Sequence, residues 1–160
     1  MSSMRKLPLA VFFVVLLGAF PAFAAETTRD SYVAAVEPIC KTNTEANEKI
    51  LKGVRAKVKA GKLDAAAKQF FNAARALKRT RAQLLQIPKP AADAVRLTKW
   101  LGYVKREVEL FEAVARKLAK GEANGAQKMV VRLISNARQA NNLVLDFEFR
   151  YCKFQPSKFI

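Results

Sequence analysis

The sequence predicts an all-α fold, an up-down-up-down four-helix bundle closed by one disulfide, after an N-terminal signal peptide. Apolar residues recur every three or four positions through most of the chain, and no segment alternates as a strand does. Between the predicted signal peptide and the tail, the strongest punctuation of the chain lies at Gly61, at 87–90 and at 121–125. The long segments between these breakers are joined by short connections, which is typical of a helical bundle.

Residues 1–24 have the organisation of a secretory signal peptide. Two basic residues precede an uncharged apolar run over 7–20, and the small-x-small sequence at 22–24 offers a cleavage site. The alternative is an uncleaved membrane anchor, but the stretch over 7–23 has 17 residues and a spanning helix needs about 20. We therefore expect a secreted or extracytoplasmic protein of the cell envelope, with no membrane span after cleavage and one domain over 25–160.

The first predicted helix covers about 28–60, with Thr28 or Asp30 as its N-cap. Its apolar residues step by three or four along the whole segment. Pro38 removes one backbone donor inside this helix. We therefore expect a kink or a break near 34–37.

Three further helices are predicted over about 63–86, 91–120 and 124–152. The last two carry unbroken apolar seams in which steps of three and four alternate, the heptad spacing of packed helices. Pro90 suits the first turn of the third helix, because a proline there removes no intrahelical hydrogen bond.

Cys40 and Cys152 predict one intramolecular disulfide, because exported chains meet an oxidising compartment and the cysteine count is even. Counting residues up and down the predicted helices brings the two cysteines to within ~3 Å of the same level. Two buried thiols or an intermolecular bridge are the alternatives. We also expect an ordered tail over 153–160, whose apolar residues cover the projecting start of the first helix around Tyr32 and Val36.

Three stretches resemble small exported helical proteins that are common in actinobacteria. They are DSYVAAVEPIC at 30–40, KWLGYV at 99–104, and the close of the chain from ANN at 140–142 to FEFRYC at 147–152. The resemblance covers most of the mature chain. It implies a disulfide-closed helical domain outside the cytoplasm and a bacterial source, and it implies no activity and no catalytic residue.

Composition excludes several kinds of site. The chain has no His, which excludes His-ligated zinc and haem, Ser-His-Asp triads, Cys-His dyads and the Glu-x-x-His pattern of di-iron bundles. Two cysteines cannot form a four-thiolate metal site. We therefore expect no cofactor and no metal.

Positive charge is concentrated in the first half of the mature chain. The formal net charge is +16, and residues 49–89 hold twelve basic side chains and one acid, Asp64. This pattern favours an anionic partner, either an envelope polymer, an acidic lipid surface or an acidic protein. The candidate residues, here called the basic surface, are Lys52, Arg55, Lys59, Arg75, Lys78, Arg79 and Arg81.

The positive charge has two other interpretations, a role in solubility and a role in nucleic-acid binding. A solvated face that keeps an exported protein soluble is the plainer alternative. Sequence-specific nucleic-acid binding is not expected, because no recognised motif is present and aromatic residues are not interleaved with the charges.

Glu107, Glu109 and Glu112 on the third predicted helix are the catalytic candidates. Basic residues at ion-pair spacing accompany them along the same helix. We interpret all three as members of surface ion pairs and expect no enzyme activity.

A carrier of a small apolar ligand in the bundle interior is the alternative function. It requires a cavity near Trp100 and Asn43. Asn43 lies on an apolar seam, where a buried Asn more often fixes helix register than lines a pocket. Trp100 and Tyr103 have helical spacing and are more typical of the core or its rim than of a ligand groove.

Overall fold

A computed structural model describes residues 26–158, so the predicted signal peptide, Phe159 and Ile160 lie outside the described residues. Residues 26–158 are almost entirely helical and include no strand. The helices are α1 Arg29–Leu51, α2 Val54–Lys59, α3 Leu63–Leu84, α4 Ala94–Ala119 and α5 Ala123–Leu143. Short 3-10 helices cover Ala91–Asp93, Leu145–Phe147 and Pro156–Lys158. None of the described helices has the length and apolar character needed to cross a bilayer.

The helices pack as a bundle around one apolar core. α3 packs against α1 and α4, and α5 packs against α4. Trp100, Phe70 and Leu77 are among the largest side chains removed from solvent. Residues 144–158, here called the C-terminal segment, bond to α1 through the Cys40–Cys152 disulfide and to α5 through Asn141.

The predicted disulfide is confirmed. Cys40 and Cys152 are bonded across a sequence separation of 112 residues, and their Cα atoms are 5.0 Å apart. Cys152 does not lie on a helix as predicted, because α5 ends at Leu143. Phe147 and Phe149 are both buried. Residues two positions apart point to different sides of a helix, so a helix could not bury both rings in one core. The irregular backbone lets both rings enter the core.

α1 passes through Pro38 without the break that the sequence predicts there. Pro38 and Ala34, whose carbonyl loses its helical donor, lie on the exposed side of α1, where water can bond to that carbonyl. The helix ends instead at Lys52 and Gly53, where Gly53 has a φ of 72°. Because a left-handed residue cannot continue a right-handed helix, the first predicted helix becomes α1 and α2.

Gln69 of α3 stabilises this break. Its side-chain amide donates hydrogen bonds to the carbonyl oxygens of Ile50, at 2.6 Å, and Lys52, at 3.0 Å. Carbonyls at the end of a helix have no intrahelical donor, so Gln69 supplies bonds that α1 itself cannot.

An ion-pair network and an aromatic cluster close the end of the bundle where α1 begins. Arg29 bonds to Asp93 at 3.0 Å and to Asp146 at 2.9 Å, and Arg96 bonds to the same two carboxylates. Both guanidinium groups lie over the ring of Phe147, at 4.8 Å and 4.9 Å from its centroid. The network therefore joins the starts of α1 and α4 to the C-terminal segment.

Residues 153–158 contact a different part of the core from the one predicted for the tail, and the contacts predicted for Phe159 and Ile160 lie outside the described residues. Phe147, not the tail, packs edge-on against Tyr32, with 6.4 Å between ring centroids. Phe154 stacks on Trp100 at 6.2 Å. The described part of the tail therefore runs along the side of the bundle.

Candidate functional site

A cavity of about 310 Å³ lies between α1, α3, α4 and the C-terminal segment. Its apolar wall includes Leu77, Leu84 and Phe111. The polar side chains that line it are Asn43, Thr44, Asn47, Glu48, Thr80, Glu107, Arg150, Lys153, Gln155 and Lys158. This volume lies within the range of small-molecule sites in proteins.

Glu107 is buried in the wall of this cavity, which corrects its interpretation as a surface ion-pair residue. Its side chain is 2% exposed, and it forms no ion pair with the residues that the structure describes. Burial raises the pKa of Glu107 to about 8, although a hydrogen bond from Asn136 opposes the shift. The carboxyl group is therefore mostly protonated at neutral pH.

The amide of Asn136 provides only a weak bond to Glu107. Its Nδ2 lies 3.4 Å from Oε2 of Glu107 and 3.1 Å from the carbonyl oxygen of Tyr103. One amide group thus serves two acceptors, and the longer bond goes to the carboxyl group.

Asn47 adds a second buried acceptor to the cavity. Its Nδ2 donates to Oδ1 of Asn43 at 3.2 Å, while its own Oδ1 is buried without a hydrogen-bond partner. The nearby hydroxyl of Thr80 donates to the carbonyl of Ala76. Asn43 is half-buried at the edge of the cavity, and Asn47 is the buried amide.

The fourth wall of the cavity is the C-terminal segment, which three sets of bonds hold in place. The disulfide fixes Cys152 to α1. The carboxylate of Glu37 accepts hydrogen bonds from the backbone amides of residues 150–152, at 3.0 Å to 3.2 Å. Asn141 both donates to and accepts from the backbone of Phe154, each time at 2.9 Å. These bonds place Lys153 and Lys158 at the cavity.

Trp100 does not line this cavity, although Asn43 does. The indole is fully buried beside Phe149 and Phe154, and its Nε1 has no hydrogen-bond partner. Tyr103 is half-buried and donates its hydroxyl to Gln139 on α5 at 3.1 Å.

The residues of the basic surface lie in two groups with one outlier. Arg55 and Lys59 line a shallow depression with Lys158, beside the exposed Lys52. On α3, Arg75, Lys78 and Arg79 are exposed. Arg81 is half-buried, and its Nε donates to the carbonyl of Leu101 at 3.3 Å, so it is mainly committed to the α3–α4 contact.

An apolar groove of about 400 Å³ lies beside the first of these groups. Arg55 and Lys59 of α2 line it together with residues of α3, α4 and α5. Its apolar side chains are Val54, Val58, Phe70, Val114, Leu118, Ala123, Ala126 and Val130.

The other carboxylates of α4 lie on its outer side. Glu109 pairs with Arg106 at 3.0 Å, and Glu112 pairs with Arg116 at 3.4 Å, as their spacing predicts. No group of three or more potential metal-binding side chains occurs among residues 26–158.

Glu107 is the cavity residue whose burial the sequence analysis did not predict. It follows Val104 by three residues and precedes Phe111 by four, so it lies on the same side of α4 as those two buried residues. That placement is the signal in the sequence that indicates its burial.

The chain matches no family model, no curated protein and no solved structure.

Proposed function

We propose that the protein is an exported, non-enzymatic binding protein that attaches to acidic lipid surfaces through its basic surface. In this proposal residues 1–24 direct export, the mature bundle has up-down-up-down topology, and the partner is an anionic membrane leaflet. A disulfide that closes 112 residues supports a location outside the reducing cytosol.

The observation that carries the proposal concerns the acidic partners of the basic side chains of residues 49–89. Leaving Arg55 aside, none of the other eleven forms an ion pair with the described part of the chain. The acid–base pairs occur at the two ends of the bundle, on the outer face of α4 and at Lys41–Glu45. Positive charge without local neutralisation attracts an anionic surface.

The apolar groove beside Arg55 and Lys59 favours a lipid over a soluble polyanion. A polymer of sugars or phosphates has no group that would fill a groove of valine, leucine and phenylalanine side chains. An acidic lipid has both an anionic headgroup for the basic residues and an acyl chain for the groove. Phe71, half-exposed beside Lys68 and Arg75, adds a second apolar contact within the basic region.

Vesicle sedimentation tests the proposal. The mature protein is expected to bind vesicles that contain both phosphatidylglycerol and phosphatidylcholine and not to bind vesicles of pure phosphatidylcholine. It is expected to dissociate from the acidic vesicles as the salt concentration rises, because salt screens exposed charges. A variant with Lys52→Gln, Lys59→Gln and Lys78→Gln removes three exposed charges. Its affinity is expected to fall about 100-fold, since each base near an anionic surface contributes about 1 kcal/mol and about 1.4 kcal/mol is a factor of ten.

The matched control removes three exposed charges from another helix. Lys128→Gln, Arg132→Gln and Arg138→Gln on α5 give the same net charge and are expected to retain most of the binding. Equal losses in the two variants would show attraction by net charge alone and would contradict a defined surface. Soluble polyphosphate that binds as tightly as the acidic vesicles would contradict the preference for lipid.

A further inference from the structure

Two acceptors at the cavity beside Glu107 have no strong donor among the described side chains, although Arg150, Lys153 and Lys158 bring donors to its opening. Oδ1 of Asn47 is buried with no partner. Oε2 of Glu107 receives only the long bond from Asn136, and Oε1 receives none from the described residues. A buried acceptor without a donor destabilises a fold, and native structures retain few of them.

A ligand group that satisfied Asn47 and an ionised Glu107 together would donate several hydrogen bonds. Asn47 and Glu107 are both more than nine-tenths buried and both line the cavity, from α1 and α4. An ammonium group provides three donors and also the opposite charge of an ionised carboxylate. A hydroxyl provides one donor and no charge.

Apolar side chains surround these acceptors and define the rest of the ligand. Leu77 and Leu84 of α3 and Phe111 of α4 line the same cavity. An aromatic or aliphatic body attached to the ammonium group would bury apolar area against them. The volume of about 310 Å³ suits a small molecule and excludes a folded peptide.

The remaining charged groups at the cavity limit the ligand to a single positive charge. Glu48 of α1 is exposed, and the C-terminal segment contributes Arg150, Lys153 and Lys158, also exposed. No other charged residue of α3 or α4 lines the cavity. Three bases against one acid at the opening disfavour a second ammonium group on the outer end of the ligand.

We propose that this cavity is a binding site for a small primary amine with an apolar body, with Glu107 and Asn47 as the acceptors of its ammonium group. This site is distinct from the basic surface. Its occupant has the opposite charge to the lipid headgroup, so the two proposals can fail separately.

Calorimetry with phenethylamine as the probe tests the site. Phenethylamine is expected to bind the mature protein about tenfold or more tighter than 2-phenylethanol, because the alcohol lacks the charge and two donors. 3-Phenylpropionate is expected not to bind. Because the amine requires ionised Glu107, its affinity is expected to rise about tenfold per pH unit between pH 6 and pH 7.5. About one proton is released for each amine bound at pH 7.

Glu107→Gln is the variant that removes the acceptor charge while keeping its shape. It is expected to weaken phenethylamine binding about tenfold or more at pH 8 and to abolish both the pH dependence and the proton release. Glu109→Gln is the matched control, since Glu109 lies on the same helix with an outward-facing carboxylate. It is expected to leave affinity and proton release unchanged.

Three results would overturn the proposal. They are equal binding of the amine and the alcohol, tighter binding of 3-phenylpropionate, and no binding of any of the three probes. Proton release by the unaltered protein is measured independently of the variant, so a Glu107→Gln chain that fails to fold leaves the test intact.

Discussion

At the scale of single residues, Glu107 differs most from its surroundings. Carboxylates are almost never fully buried without a positive partner, and within residues 26–158 the only side chain that bonds to this one is the amide of Asn136. Folding therefore favours the protonated form, and the pKa of Glu107 rises from 4.5 to about 8. A raised carboxyl pKa means that the folded state binds more protons than the unfolded state between those two values.

We expect the protein to lose stability as pH rises through that window. The stability from neutral Glu107 is fully present below about pH 4.5, declines from there to about pH 8, and is then constant. Glu107→Gln cannot ionise, so its free energy of unfolding is expected to exceed that of the unaltered protein by about 3–5 kcal/mol at pH 8 and to differ little at pH 4. Urea denaturation of both proteins across this pH range measures their free energies of unfolding.

The decisive quantity is how the difference in free energy of unfolding between Glu107→Gln and the unaltered protein changes with pH, because the other acids are present in both chains. Glu109→Gln is expected to show the same pH profile as the unaltered protein. A difference between Glu107→Gln and the unaltered protein that does not change from pH 4 to pH 8 would contradict a shifted carboxyl group.

At the scale of elements, α3 and α5 share a preceding turn and a pattern of buried positions, at an offset of sixty residues in the sequence. Gly61 and Gly121 both have φ near 73°, and each is followed by an amide that bonds to the carbonyl five residues before it. The buried positions 126, 130, 133, 136, 137 and 140 of α5 correspond, at that offset, to buried positions of α3. The same turn thus introduces two helices that bury the same positions.

Gly53 ends α1 through its left-handed backbone conformation. A Cβ at this position would meet nothing within 4 Å, but the residue has a φ of 72°. Gly53→Ala is therefore expected to lower the free energy of unfolding by about 1–2 kcal/mol. Gly102→Ala is the matched control, because Gly102 lies inside α4 with equally open space and is expected to gain about 1 kcal/mol. Urea denaturation compares them, and a loss of similar size at both positions would contradict this explanation.

The sequence predicts the interior of each helix better than its ends. The heptad seam of α4 identified Leu97, Val104 and Phe111, all of which are buried. Helical spacing continued through 144–152, but Glu148 has a φ of 52° and the backbone there is irregular. The buried positions of Phe147 and Phe149 depend on contacts with α1 and α4, which no local pattern contains.

The cavity was less predictable than the helices. Asn43 was identified as a seam position, and it lies at the cavity's edge beside Asn47. The fourth wall depends on the C-terminal segment leaving the helical path after α5. The helix predicted to continue to Cys152 does not place Lys153 or Lys158 beside α1.

At the scale of the whole molecule, one covalent bond joins α1 to the C-terminal segment, together with the hydrogen bonds of Glu37 and the ion pair between Arg29 and Asp146. The disulfide closes a loop of 112 residues, which includes α2 to α5 in full. Closing a loop of that size stabilises a fold by about 4–5 kcal/mol in the chain-entropy model. This is a large fraction of the stability of a domain of this size.

Cys40→Ser with Cys152→Ser is expected to lower the free energy of unfolding by about 4–5 kcal/mol. Hydrogen exchange is expected to accelerate first in 144–158, while α3 and α4 remain protected, because their mutual packing does not involve the cysteines. A reductant is expected to have the same effect on the unaltered protein and none on the variant. Unchanged exchange over 144–158 would show that Glu37 and Asn141 hold the segment by themselves.

The walls of the cavity come from α1, α3, α4 and the C-terminal segment, in that order along the chain. Residues 150–158 are the last of the four walls along the chain, and the Cys40–Cys152 bond holds them against α1. Reduction of that bond is therefore expected to free this wall and to widen the entrance to the cavity.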